Sequence, residues 1–561
     1  MTWPLSLPAT ASILRMQAGI GDKVRLVRDP QDWWPSRGVV SMQMMGRSFF
    51  RKCAGASLLA LLTLTLPACS GSSSTSTQPG NPVGPNLIQV STDAFTIGPG
   101  QHATEVEPHM LSNGSTLVST FQVGRISPGG STGIGWATSA DGAVTWTHGV
   151  LPGLTKGEGS GPYDAASDPV VAYDAKHGVW MIASLPISST LQVPAVVVNR
   201  STDGGLSWGN PVSVDPTAPS SDKNWIVCDS WPNSPHYGNC YLEWDDPFTQ
   251  GEIRMSTSTD GGLSWGLATS TADGAPGIGG QPLVQPNGTV IVPIESIGTQ
   301  TPSMLSFSSA DGGASWTAPV TISNIQVHAD AGGIRSGPLP SAAVDGAGMV
   351  WVVWEDCRFR TNCTTNDLVY STSSDGVTWN TVTRIPIDDV SSTVDHFIPG
   401  VGIDPATSGG NAHVALHYYY YPETSCDVST CQLFVGYISS SNGGLTWNAP
   451  IPQTGAMQLG WLPNSQNGLM VGDYIATVFV NGLPHGIFAV AQQTTGGTFS
   501  GGTTFNEAMY TGKGLTVTAL GRQLSSAHDK PLHKLSDKVE QEIPEKGMTP
   551  PQRRRARQSA K

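Results

Sequence analysis

The sequence predicts an all-β fold, a single β-propeller of four-stranded blades, and three observations carry that expectation. The chain of 561 residues is rich in Gly (66) and Pro (42) and only 13% charged, a turn-rich profile that suits strands better than helices. One short turn motif recurs six times along residues 139–447, the mark of a repeat architecture. Ahead of each copy lies a β-rich run, a polar turn and a second β-rich run, the pattern of a hairpin.

In chain order, the first element is an export signal. Arg47, Arg51 and Lys52 precede the apolar stretch 56–66, ASLLALLTLTL. That stretch has signal-peptide length and is too short to span a bilayer. Residues 45–68 therefore read as a signal peptide, and 1–44 as an extension ahead of the true start, near Met42, Met44 and Met45. Leu66-Pro67-Ala68-Cys69 resembles a bacterial lipobox, which implies lipidation at Cys69. The Ser/Gly/Pro-rich tract 69–85 follows as a flexible tether.

The propeller is expected over 86–514. Three turns match S-x-D-x-G-x-[ST]-W in full: STDGGLSW at 201–208 and 258–265, and SADGGASW at 309–316. SADGAVTW at 139–146, SSDGVTW at 373–379 and SSNGGLTW at 440–447 depart from it by one residue each. Asp suits such a turn because its carboxylate accepts backbone N–H bonds inside the loop. Gly permits positive φ at the corner, and Trp buries a large area between sheets. These residues are structural. Hairpins are expected at 106–123, 167–184, 223–244, 280–294, 337–354, 396–420 and 470–491, the last with no box after it. The missing fourth strand of that last blade is expected from 86–95, which would close the ring without an exposed edge. Seven blades are favoured, with six the alternative.

Cysteines and charge bound the partners. Six cysteines beyond Cys69 fall into close pairs, Cys228 with Cys240, Cys357 with Cys363 and Cys426 with Cys431. In an oxidising compartment that predicts three loop-stapling disulfides. No pair has C-x-x-C spacing with a histidine at zinc-site distance, so no metal and no cofactor are expected. Residues 69–514 hold 11 basic against 34 acidic residues, a poor partner for nucleic acid. The tail 515–561 is basic, with 10 basic and 5 acidic residues, and reads as disordered. The expected partner is a carbohydrate or a surface protein, the expected state a monomer, and the membrane is reached only through the lipid.

The repeated box identifies the chain as similar to the sialidase-like Asp-box, or bacterial neuraminidase repeat, family. The resemblance implies that the boxes lie on the face opposite the active site. Residues at the starts of the innermost strands and the ends of the second strands would then converge at a central funnel. The first group includes Glu107, His109, Asp168, Asp222, Lys223, Gln281, Arg335, His396, Asp473 and Tyr474. The second includes Arg125, Glu243, Asp245, Glu295, Glu355, Arg358, His417, Tyr419 and Tyr421. Sialidases hold a substrate carboxylate with three arginines and use a tyrosine paired with a glutamate, with an aspartate as acid/base. Here the place of the first arginine reads EVEPHMLS, and Arg384-Ile385-Pro386 falls after the fifth box, in the wrong position. A triad would have to come from Arg125, Arg335 and Arg358. Tyr474 beside Asp473, or Tyr419, stands for the nucleophile, with Glu107 or Glu295 as its partner. Glycosidic cleavage in general needs two carboxylates, for which Asp168, Asp222, Glu295 and Asp473 are candidates. Glu107, His396 and Tyr419 join the arginines as candidate substrate contacts. The expected function is an exo-glycosidase of sialidase type; the alternative is a non-catalytic glycan-binding, protein-binding or assembly propeller.

Overall fold

A computed structural model describes residues 81–523, apart from 97, 216–220, 300, 495–497, 500–501, 504 and 519–520. The N-terminal extension, the signal peptide, Cys69, most of the tether and nearly all of the basic tail lie outside the described residues.

The fold is all-β, and each expected hairpin is present. Sheet I contains Gln101–Asn113, Thr116–Arg125, Ser131–Ser139 and Thr147–Val150. Sheet II contains Ala165–Asp174, Val179–Ile187, Val196–Ser201 and Val212–Asp215. A single bridge, Ser131 to Ala166, links the two. Sheet III runs Asp222–Cys228, Cys240–Asp246, Glu252–Ser258 and Thr269–Ser270. Sheet IV runs Leu283–Val284, Val290–Glu295, Ser303–Ser309 and Val320–Asn324. Sheet V runs Ser341–Val344, Val350–Asp356, Asp367–Ser373 and Thr383–Arg384. Sheet VI is built from Asp395–Ile403, Val414–Tyr421, Gln432–Ser440 and Ile451–Pro452. Sheet VII takes Ala476–Val480, Leu483–Ala491 and Glu507–Gly512 from the end of the chain, and its outermost strand, Leu87–Gln89, from the beginning. Leu87 lies opposite Gly512 and Gln89 opposite Tyr510.

The innermost strands follow one another in space as in sequence, and that of sheet VII lies beside that of sheet I. Together they line a central cavity of about 330 Å³, to which Met110, Ala172, Ile226, Leu283, Ala343, Gly402 and Thr477 each contribute from a different sheet. Between neighbouring sheets the core is apolar, with Trp180, Trp244, Trp354 and Trp447 fully buried.

The box turns form as their chemistry requires. In the second, the Asp203 carboxylate accepts Leu206 N at 3.1 Å, Ser207 N at 3.0 Å and Ser207 Oγ at 2.6 Å. Ser201 Oγ donates to Asp203 and accepts Gly205 N at 2.9 Å. Asn442 serves in the sixth box because an amide oxygen keeps the acceptor, taking Thr446 N at 2.9 Å. Ala143, in the glycine position of the first box, still takes φ 69°. The box tryptophans pack across sheets, as where Trp208 meets Trp136 with ring centroids 6.5 Å apart. All three cysteine pairs are bonded.

Candidate functional site

The site is created by a bulge repeated near the start of several innermost strands. Pairing slips at Val106/His109, Ser167/Val170, Asp222/Trp225 and Phe397/Gly400. At each slip one residue takes left-handed backbone: Glu107 (φ 59°), Asp168 (50°), Lys223 (47°) and Ile398 (49°). A bulge re-aims the side chain it carries, and strain of this kind clusters at functional sites. In sheets I to III the re-aimed side chains are charged, and they meet.

Lys223 Nζ lies 3.1 Å from Glu107 Oε1 and also pairs with Asp473. Arg335 binds the same Asp473 through two nitrogens, Nε at 2.5 Å. Asp168 accepts Lys223 N at 3.1 Å and Ser167 Oγ at 2.7 Å. Gln122 donates to Glu107 and to Ser167 and accepts Arg125 Nη1 at 3.2 Å. Asp222 sits opposite Asp245 across the first strand pair of sheet III. Glu107, Asp168, Lys223, Arg335, Asp473 and Arg125 are buried, and Asp222 is half-buried.

Electrostatics split the carboxyls into two kinds. Burial raises Glu107 to about 7, against the pull of Lys223. Burial, reinforced by the charge of Asp168, raises Asp222 to about 7. Burial drives Asp245 and Glu243 well above the usual carboxylate range, Asp222 adding to the first. Burial would also raise Asp473, but Arg335 and Lys223 outweigh it and hold its carboxyl far below that range. One cluster thus holds proton-bearing acids beside a fixed carboxylate.

Aromatic rings adjoin the cluster, and two of them, His109 and Trp225, also line the central cavity. His109 and Trp225 have centroids 4.7 Å apart, Trp225 and Tyr474 5.2 Å, and Lys223 Nζ lies 5.6 Å from the Tyr474 ring centre. Tyr474 is buried, its phenol is driven far up by burial, and its hydroxyl donates to Pro169 O at 3.1 Å. It therefore serves as packing and anchor, not as the activated nucleophile expected from its place in the sequence. Above the cluster runs a hairpin that sequence reasoning missed, Asn464–Ser465 paired with Gly468–Leu469. It is tied to sheet I by Gln101 to Asn464 and by Arg125 Nη2 to Gln466 Oε1 at 3.0 Å. Its far end takes Arg335 N on Leu469 O at 2.7 Å, and Val471 O accepts Glu107 N at 3.1 Å. At Gly472 (φ 144°) a Cβ would lie 2.8 Å from Glu107 Cα and N, so only glycine allows this approach. The Pro463-Asn464…Asn467-Gly468 turn signal was available in the sequence.

Four expected site residues lie elsewhere. Arg358 binds Asp356, Ser323 Oγ and Asn324 O at the edge between sheets IV and V. His396 is buried against Asn366 O and beside Asp388. Tyr419 donates to Ala489 O at 2.8 Å inside the core between sheets VI and VII. Glu295 is buried at the end of its strand, raised by burial to about 8, and no contact links it to the cluster. With Arg358 away and Arg335 bound to Asp473, three arginines do not meet on one substrate carboxylate.

No protein-family model matches the sequence, and no curated protein matches it. Among solved structures, a Dyadobacter fermentans protein of unknown function is 16% identical, covering 63% of this chain and 99% of its own, with TM-score 0.40. The NanB sialidase of Streptococcus pneumoniae is 13% identical, covering 76% and 70%, with TM-score 0.37. The Penicillium chrysogenum alpha-L-arabinanase is 14% identical, covering 76% and 98%, with TM-score 0.39.

Proposed function

We propose that this chain is a seven-bladed, exported and lipid-held propeller that binds and cleaves neutral glycans at the bulge cluster. The observation that supports cleavage is the split among the carboxyls: Asp222 and Glu107 near 7, Asp473 held ionised. Environments that drive neighbouring carboxyls apart are how acid and base roles are divided. Asp222, the least buried carboxyl of the cluster, would protonate the leaving oxygen as the glycosidic bond breaks, and Asp473, kept ionised, would take a proton from the water whose oxygen bonds to the anomeric carbon. Lys223 and Arg335 would fix Asp473, and Asp473 would fix them. The acid excess and the dispersed arginines favour an uncharged sugar over a sialic acid.

Burial favours a second reading, a non-catalytic glycan-binding propeller, because the hairpin 464–469 is tied across the cluster on both sides. Turnover of aryl glycosides and neutral polysaccharides by the purified chain decides between them. The expected outcome is release of reducing sugar that falls by roughly 100-fold or more in Asp222→Asn, with no release from a sialoside. Binding on a glycan array without turnover by the unmodified chain would replace cleavage with the second reading. Sialoside turnover would overturn the preference for neutral sugars.

A further inference from the structure

Among the described residues, two groups of histidine and carboxylates outside the bulge cluster bring their ligating atoms within 4.8 Å of one another. In the first, Asp367, Asp388 and His396, the charge is already answered. Arg360 and Arg384 both bind Asp367, at 2.5 and 2.8 Å, and both bind Asp388, at 2.7 and 2.6 Å.

The second group is His328, Asp330 and Asp395, where the loop before sheet V meets the start of sheet VI. Here we propose a binding site for a divalent transition cation of the zinc class. One imidazole and two carboxylates form a donor set that suits such an ion. His328 Nδ1 and Asp395 Oδ2 are 3.2 Å apart. That is long for a charge-assisted hydrogen bond, about 2.7–2.9 Å. It is near the roughly 3.3 Å that separates two ligands of a tetrahedral ion with bonds of about 2.0–2.1 Å.

A single residue holds all three ligands in place. Asn366 N donates to Asp395 Oδ1 at 2.6 Å, leaving Oδ2 turned toward the imidazole. Asn366 Nδ2 donates to Asp330 Oδ1 at 3.1 Å and to His328 O at 2.9 Å, and its Oδ1 accepts His328 N at 2.7 Å. Ser336 holds the other oxygen of Asp330. Ligands oriented this way by outer partners are the mark of a built metal site. Asp395 is fully buried and Asp330 nearly so, whereas the His328 side chain is 25% exposed. An ion bound there would be reached from the solvent side of His328 and could take water or a ligand oxygen as a further ligand, as in metal sites that bind substrate.

The inference is independent of glycan chemistry, and its test reads metal alone. The full chain is stripped with EDTA and titrated with Zn²⁺ by calorimetry, then with Co²⁺ while its visible bands are followed. The unmodified chain should bind one equivalent more than His328→Ala and Asp395→Asn. The weakening in His328→Ala should be roughly 100-fold or more, and in Asn366→Ala roughly 10-fold. His328 is partly exposed, so His328→Ala should keep its far-ultraviolet circular dichroism and report on the site without unfolding. Equal stoichiometry and affinity in the unmodified chain and a folded His328→Ala would overturn the proposal. So would Co²⁺ bands unchanged by that substitution.

Discussion

The box turns and the bulge cluster use aspartate in opposite ways. At the boxes each carboxylate is surrounded by its own turn, Asp203 among those exposed, and Ser207 and its neighbours hold Asp203 down at about 2. Asp311 is held at about 2 in the same way by Ser315. In the cluster the carboxyls come from different sheets, solvent is removed, and Glu107 and Asp222 rise to about 7. The boxes need only a few consecutive residues to be stable. The cluster needs sheets I, II, III and VII in register, plus the loop before sheet V, before any of its charges is answered. A local motif can therefore be repeated without altering its chemistry, whereas the cluster exists once.

The largest test of that difference is removal of the cluster's buried ammonium. Lys223→Met leaves Asp473 and Glu107 short of a counter-charge inside the fold. Breaking a buried pair in this way costs about 3–5 kcal/mol, and denaturant unfolding should show a loss of that size. A loss below about 1 kcal/mol would mean that the cluster does not bind the sheets together. The pH profile is the next test. Asp141, Asp203 and Asp311 fold with values of about 2 against about 4 unfolded, so their contribution is present above 4 and lost as pH falls toward 2. Glu107 and Asp222 are raised, so their contribution is complete below about 4 and lost as pH rises through 7. Burial of Glu105 and Glu295, both raised to about 8, extends that falling limb. The melting temperature should therefore rise and then fall between pH 2 and 8. Asp222→Asn should flatten part of the fall and Asp203→Asn part of the rise; the reverse pattern would invert the assignment. The smallest effect belongs to a single box. Asp203→Ala loses exposed turn bonds worth about 1 kcal/mol net, a shift of about 1 °C in thermal melting for a unit of this size.

Much of the fold was legible because it is local. Alternation marked every hairpin, and the box motif marked every third-to-fourth strand turn but the last. The cluster was legible in part. Glu107, Asp168, Lys223 and Asp473 were placed by their position at strand starts. A finer signal lay beside them, since Glu107, Asp168, Gln281 and Ile398 each precede a proline at the same point of their strands. Side-chain destinations were not legible, because one inserted residue at a bulge reverses the faces of everything beyond it. Tyr419 sits on a predicted strand and Arg358 just past the end of one, and both point into other neighbourhoods. The hairpin 464–469 was missed because its partners, Gln101, Arg125 and Arg335, are far away in sequence.

The three-residue strand Leu87–Gln89 gives the ring a clasp made from both ends of the chain. During synthesis or export that strand emerges early and waits unpaired until Glu507–Gly512 has followed it. The earlier sheets can form as they appear, but the circle can shut only at the end, and its closure is the contact of highest sequence separation. Truncation at either terminus should therefore strand the same blade, and a circular permutant joining 87 to 512 should shut its ring sooner than the natural order does.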